Sequence, residues 1–267
     1  MNIFFVNKNA IEAATNLVDS HVVKMILETC QLLSTAHRLL DGQPVQGKTK
    51  TGRKATRYLL SDVRETILYQ ATHINHPSSV WVRKSASNYN WLHTHLMTLL
   101  NEYTYRYGKI HKCTTIAVAL SRLPENILDA EFTDPTPAMK EEFLVGKDSL
   151  KSYRNYYIKG KVHLHKYTKR HAPKWLMENT DMAIYTFRNK KTSEEVDISM
   201  PMSEIVDYEK SNPHLERVYS KMNIGDPVNM GITRPPADFS KFVLGKVKAA
   251  NPHTEIGNGR WDIKKEI

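Results

Sequence analysis

Histidine, lysine and glutamate stand at positions 21, 24 and 28 within the run DSHVVKMILE. On a helix these positions project within roughly 60° of one another, so His21, Lys24 and Glu28 share one polar stripe on a segment otherwise patterned for burial. The stripe offers a proton-transfer group, a cation and a carboxylate. The same spacing also describes an ordinary surface helix, with Lys24 and Glu28 as an i,i+4 ion pair beside an incidental histidine. Spacing alone leaves both readings open.

The remaining chemistry-bearing residues are less convergent. His93 and His95 fall on one helical segment, where i,i+2 side chains face apart. His163 and His165 could chelate only from an extended strand, and no third ligand has matching spacing. Cys30 and Cys113 are too few, and too far apart in sequence, for a disulfide framework or a thiolate metal site, which points to a reducing compartment. The chain contains no P-loop, dinucleotide loop or GxSxG elbow. No metal and no cofactor is therefore expected.

Positioning these residues falls mainly to helices. The chain has 267 residues, 40% of them hydrophobic, enough for a substantial core. MNIFFVN reads as a short apolar strand or extended segment, and Asn9 followed by Glu12 has the form of a capping box. A long helix is predicted from about Ser20 to Leu40, ending at DGQP, followed by GKTKTGRKATR as a mobile basic loop. A second helix is predicted from about Tyr58 to Thr72, with Pro77 interrupting regular structure after it. Tyr89, Leu92, Leu96, Leu99, Tyr103 and Tyr107 give the clearest helical period, over about Ser85 to Tyr107, with Gly108 as its stop. A short helix should follow from Thr114 to Leu123. The basic tyrosine block should be helical to Lys159 and looser beyond Gly160. AIYTFRNKKTSEEVDIS reads as a β-hairpin, and Pro201 to Ile267 as an irregular tail with one short helix near Phe239. The fold expected is mainly α, a compact helical bundle over residues 1–175, with residues 176–267 as a small C-terminal appendage containing the β-hairpin.

The formal charge is +10, and the excess is clustered. Lys48, Lys50, Arg53, Lys54 and Arg57 occur with no intervening acid, and eight more Lys and Arg lie between Lys151 and Lys174, again without an acid. The second block interleaves Tyr153, Tyr156, Tyr157, Tyr167 and Trp175 among its cations. Cations neutralise phosphates while aromatic faces stack on unpaired bases, so the mixture suits nucleic acid. No segment approaches the ~18 apolar residues of a membrane span, and no signal segment is evident, so a soluble protein without membrane association is expected.

The run NLVDSHVVKMILETCQLLSTAHRLL resembles the first helix of the phage and bacterial pyrimidine-dimer DNA glycosylases of the endonuclease V type. These are helical enzymes that excise ultraviolet-damaged pyrimidines and cleave the resulting abasic strand. Leu17, Asp19 and His21 match the residues that lead into that helix, and the family's catalytic glutamate falls on Glu28. NHPSSVWVRKSASNYNWLHTHLMTLLNEYTYRYGK resembles the family's central segment, and SYRNYYIKGK is similar to its aromatic C-terminal tail, which lies against DNA. The resemblance covers about residues 1–160, and residues 176–267 have no counterpart.

What the resemblance implies is a DNA glycosylase and AP lyase whose amine attacks C1′ of the sugar. Asn2 is large, so Met1 should be retained and supply the amine, with Lys24 as the other candidate. An α-amine titrates near 8 and a lysine ammonium near 10.4, which favours the terminus at neutral pH. Leu27 and Gln31 stand where the family has arginines, so the phosphate clamp must come from elsewhere, with Arg53, Lys54 and Arg83 as candidates. The catalytic set expected is Glu28, His21, Met1 and Lys24. The DNA-binding set is Arg53, Lys54, Arg57, His76, Arg83, Lys84, Tyr153, Arg154, Tyr156, Tyr157, Lys159 and Lys161. The partner implied is double-stranded DNA with an extruded or damaged pyrimidine, in the cytoplasm of a bacterial host. Two alternatives stand beside it: a phage nucleobase-modifying enzyme on the same scaffold, and a non-catalytic DNA-binding protein.

Overall fold

In the computed structural model, which describes residues 1–48 and 51–219, Asn9 starts the first helix as its spacing predicts. Its side chain accepts from the amides of Ile11 and Glu12 at the head of α1, Ala10–Thr15. The reciprocal arm of a capping box is absent, because Glu12 instead accepts from the Asn7 side chain at 2.6 Å. The eight residues before Asn9 pair in no sheet. Asn2 to Val6 are buried, and Phe4 holds a positive φ of 55°.

The long helix α2 spans Asp19–Asp41. It packs against α5, Ala86–Tyr107, which Ser85 caps at its start and Gly108 ends at a φ of 65°, a left-handed turn that glycine adopts without steric cost. This helix pair buries Val22, Ile26, Leu33, Leu92, Leu96 and Leu99 completely. Each such side chain contributes about 1.5–3 kcal/mol by leaving water. The start of α2 is pinned by Arg106, whose guanidinium donates to Asp19 at 3.0 Å and to the carbonyls of Leu17 and Thr15.

Between these helices the chain departs from the helical expectation. β1, Gln43–Lys48, and β2, Lys54–Leu59, form an antiparallel ribbon in place of the mobile loop and the first turn of a helix that the sequence suggests. The predicted Tyr58–Thr72 helix shrinks to one turn, α3, Arg64–Ile67. The reason is Arg38, fully buried on α2. Its guanidinium collects the carbonyls of Tyr58, Glu65, Leu68 and Tyr69, together with the Glu65 carboxylate at 2.7 Å. A continuous helix would use those carbonyls internally. Pro77 begins a helix instead of interrupting structure: it is the first residue of α4, Pro77–Val82, where its missing N–H costs nothing.

Then come α6, Thr114–Ala119, and α7, Ser149–Asn155, which passes directly into a π-helical turn at Tyr156–Gly160. β3, Tyr167–Thr168, precedes the single turn α8, Lys174–Met177. The hairpin read in the sequence is present as β4, Met182–Asn189, and β5, Glu195–Pro201. α9, Ile205–Ser211, and β6, Leu215–Val218, follow, so that the four-stranded sheet runs in the order β3-β5-β4-β6. Tyr185, Phe187, Ile198, Met200 and Ile205 form its own small core. The helix expected near Phe239 lies outside the described residues.

With two antiparallel sheets, 46% helix and 15% strand, the fold is mixed α/β, which corrects the mainly α expectation. Met1–Val218 form one compact unit. Among the described residues no helix is long and apolar enough to cross a membrane.

Candidate active site

The exposed edge of α2 meets the folded-under N-terminus at a cavity of about 230 Å³ lined by Met1, Asn2, Phe4, His21, Lys24, Met25, Glu28, Ala138, Tyr156 and Lys161. The stripe predicted from spacing thus opens into a pocket, and the chain terminus joins it. The Met1 amino group lies 3.8 Å from Glu28 Oε2 and the Lys24 ammonium 3.4 Å from Glu28 Oε1. The Asn2 amide donates to Glu28 Oε2 at 3.1 Å. One carboxylate therefore faces both candidate amines and holds the backbone that carries the terminal one.

A sharp turn delivers the amine. Asn2 Oδ1 accepts from the amides of Ile3 and Phe4, at 2.8 and 3.2 Å, and Asn2 Nδ2 donates to the Ala138 carbonyl at 2.9 Å. Phe4 then takes its left-handed conformation, an unfavourable one for a residue with a Cβ. Packing holds it there: its ring stacks on His21 at 4.1 Å and meets Tyr153, Tyr156 and Tyr157.

His21 is buried and neutral. Burial, reinforced by the Lys161 and Lys24 ammonium groups, pushes its imidazole down to about 3. Its Nδ1 lies 2.6 Å from the Tyr157 hydroxyl, whose own ionisation burial drives far up. With the Tyr157 hydroxyl as donor to Nδ1, the single proton of the neutral ring sits on Nε2. His21 can donate a hydrogen bond from Nε2, and it is far from the titration range of a general base at neutral pH.

The far wall comes from the π-helical turn. Lys161 Nζ sits 4.8 Å from the centre of the Tyr156 ring, and Tyr156 packs on Phe143. Gly160 makes this possible, since a Cβ there would come within 2.6 Å of the Tyr156 ring.

Residues 1–115 match the family model described as pyrimidine dimer DNA glycosylase. The match supports a DNA glycosylase-type function in general, with DNA as the partner such enzymes act on. No curated protein and no solved structure shows a match. The glycosylase-like segment contains Met1, Asn2, Phe4, His21, Lys24 and Glu28, whereas Ala138, Tyr156 and Lys161 reach the cavity from beyond it.

The other residues expected to bind DNA divide by exposure. His76 caps α4 through Nδ1, which accepts from the Ser78 amide. Lys84 and Lys159 are exposed, and Arg53, Lys54 and Arg57 are exposed on the β1–β2 ribbon and its turn. Tyr153 and Tyr157 are fully buried, so their expected stacking on DNA gives way to packing in the core around Phe4. Arg83 and Arg154 are committed inward: Arg83 donates to the Ile74 carbonyl at 2.7 Å, and Arg154 donates to Val6 while lying over Trp175. Among the described residues no group of three or more His, Cys, Asp or Glu is arranged to hold a metal ion.

Asn2, Phe4 and Ala138 join the site without a place among the residues that the sequence singles out. Asn2 carries a legible signal, because asparagine side chains cap their own backbone two residues on. The Ala138 carbonyl carries none.

Proposed function

We propose that the protein is a DNA glycosylase and AP lyase acting on damaged pyrimidines in duplex DNA through an amine–sugar Schiff base. The observation that carries the reading is the Met1 amino group 3.8 Å from Glu28 Oε2 inside a cavity of side-chain size. The α-amine attacks C1′, the glycosidic C–N bond breaks, and the base leaves with that electron pair and a proton. The C1′–O4′ bond then breaks, O4′ takes the amine's second proton, and the ring-opened imine remains. Glu28 stabilises the positive charge developing at the sugar, then removes a C2′ proton so that the C3′–O bond breaks by β-elimination. His21 orients sugar or phosphate through Nε2–H. Lys161 and Lys24 supply positive charge for the flanking phosphates, and the exposed edge of Tyr156 meets a nucleotide turned out of the stack. Catalysis belongs to residues 1–175 in this reading, with 176–267 as an appended extension.

A nucleobase-modifying enzyme on the same scaffold is the second reading. It is favoured by Leu27 and Gln31, which stand where the resembled family has arginines, and by residues 176–267, which have no counterpart there. Borohydride trapping separates the two. Labelled duplexes carrying a cyclobutane pyrimidine dimer or an abasic site are incubated with wild type, Glu28→Gln and an N-terminally blocked form. An adduct that blocking abolishes establishes Met1 as the nucleophile, and one that survives blocking assigns Lys24. No adduct with duplex binding intact removes the lyase reading and leaves base modification.

A further inference from the structure

Residues 43–59 contain five cations, Lys48, Lys50, Arg53, Lys54 and Arg57, and no acid. Directly opposed residues of an antiparallel pair project to the same face. The register pairs Lys48 with Lys54, Gln46 with Thr56 and Val45 with Arg57. Two ammonium groups therefore stand opposite each other on one face of the ribbon. Both lysines are exposed, and among the described residues neither forms an ion pair. Like charges in this relation destabilise a ribbon, and an isolated two-stranded ribbon is already marginal in water. The arrangement suits a bound anion that bridges the pair.

The opposite face adds a third cation at the same end. The Arg57 side chain lies across Gly47, where a Cβ would meet its Cδ at 3.4 Å, and its Nη2 donates to the Lys48 carbonyl at 3.0 Å. Arg57 is thereby drawn along the ribbon toward its tip. Val45 and Leu59 on this face are 44% and 40% exposed, so no part of the described protein covers it.

The ribbon stands at a defined distance from the pocket. It leaves the C-terminal end of α2, where Arg38 holds the Tyr58 carbonyl at 2.8 Å. Glu28 lies about 20 Å back along that helix, at ~1.5 Å per residue.

We propose that the β1–β2 ribbon is a second grip on duplex DNA, lying in the major groove with Lys48, Lys54 and Arg57 on its phosphates, roughly 6 base pairs or more from the nucleotide in the pocket at about 3.4 Å per step. A groove about 12 Å wide admits a two-stranded ribbon. The inference rests on the reading that the site acts on duplex DNA. It adds a flank of undamaged duplex to what the enzyme requires.

The test measures binding of the full chain to undamaged duplexes of about 30 and about 8 base pairs across roughly 50–200 mM salt, for wild type, Lys48→Gln/Lys54→Gln and Lys54→Glu. On the long duplex the double variant should flatten the slope of log K against log salt by about 1.8, at ~0.9 for each phosphate left without its lysine, with no change on the short one. Lys54→Glu gives Lys48 a partner, so it should raise Tm while weakening long-duplex binding, a combination that a purely structural role does not produce. An unchanged slope, an equal loss on both lengths, or a Lys54→Glu variant of undiminished affinity overturns the proposal. Borohydride trapping on a short abasic duplex reports separately on the chemistry: its failure removes the lyase reading and leaves the slope test standing.

Discussion

His21 and Tyr157 lie 136 positions apart in sequence and are joined by a 2.6 Å hydrogen bond beneath the pocket floor. This bond ties the glycosylase-like segment to the part of the chain beyond it, and it sets which imidazole nitrogen carries the proton. Tyr157→Phe removes the donor to Nδ1 and little else. The expected result is a fall in kcat of about 10- to 100-fold, as for a misoriented catalytic group, with a stability loss of about 1–2 kcal/mol. Single-turnover excision and a thermal melt measure the two effects. Unchanged kcat at reduced Tm would assign the bond to the core alone.

Asn2 aims the amine without offering a reacting group. In Asn2→Ala the backbone amide can still donate to Glu28, but the bonds to Ile3, Phe4 and Ala138 go. Ring packing and the Val6 amide's bond to the Phe4 carbonyl would then remain to hold Phe4 in its left-handed conformation. The trapping rate should fall about 10- to 100-fold while duplex affinity stays within a factor of about two. Wild-type trapping by this variant would mean that the terminus needs no such guide.

The stripe and the two long helices are legible in the sequence because they are local. Helical geometry alone brings His21, Lys24 and Glu28 together, and the periods of α2 and α5 match their boundaries within a residue or two. The β4–β5 hairpin is legible through its alternation around a polar turn. What is not legible depends on partners distant in sequence. Arg38 unwinds a helix predicted from local propensity by taking its carbonyls. The ribbon reads as a loop because its lysines and glycines have weak strand preference, and the register that opposes Lys48 to Lys54 exists only once the strands pair. Cys30 and Cys113, distant in sequence, are close enough in the fold that Cys113 reinforces burial in raising the Cys30 thiol. Both are free and buried.

Acid should unfold the protein early, and three histidines give the sign. Burial lowers His21 to about 3, His37 to about 4 and His95 to about 3, against an unfolded value of about 6.5. Below pH ~6.5 the unfolded chain binds protons at these positions that the folded chain does not. Their stabilising contribution is therefore complete above that pH and is lost as pH falls toward 3–4. Each adds up to ~1.4 kcal/mol of destabilisation per pH unit in that window. Denaturant titrations at pH 7, 6 and 5 measure it, and His95→Phe should flatten the dependence by about one proton. Stability that does not change between pH 7 and 5 would contradict burial of the neutral rings.

Arg38 is the residue on which the path from α2 through the ribbon to α4 depends. Its guanidinium is fully buried, pairs with Glu65 at 2.7 Å and donates to four backbone carbonyls. Arg38→Met keeps most of the side-chain volume and removes every one of those donors, leaving buried acceptors unpaired and Glu65 without its cation. Removing one partner of such a buried charge cluster costs about 3–5 kcal/mol, and the loss should be local at first: hydrogen exchange over residues 58–69 should accelerate more than exchange in α5. Because α4 follows directly and packs against α2, catalysis should fall with that local opening. Uniform exchange acceleration across α2, α5 and residues 58–69 would instead make Arg38 part of the global core, with no special hold on the connection between pocket and ribbon.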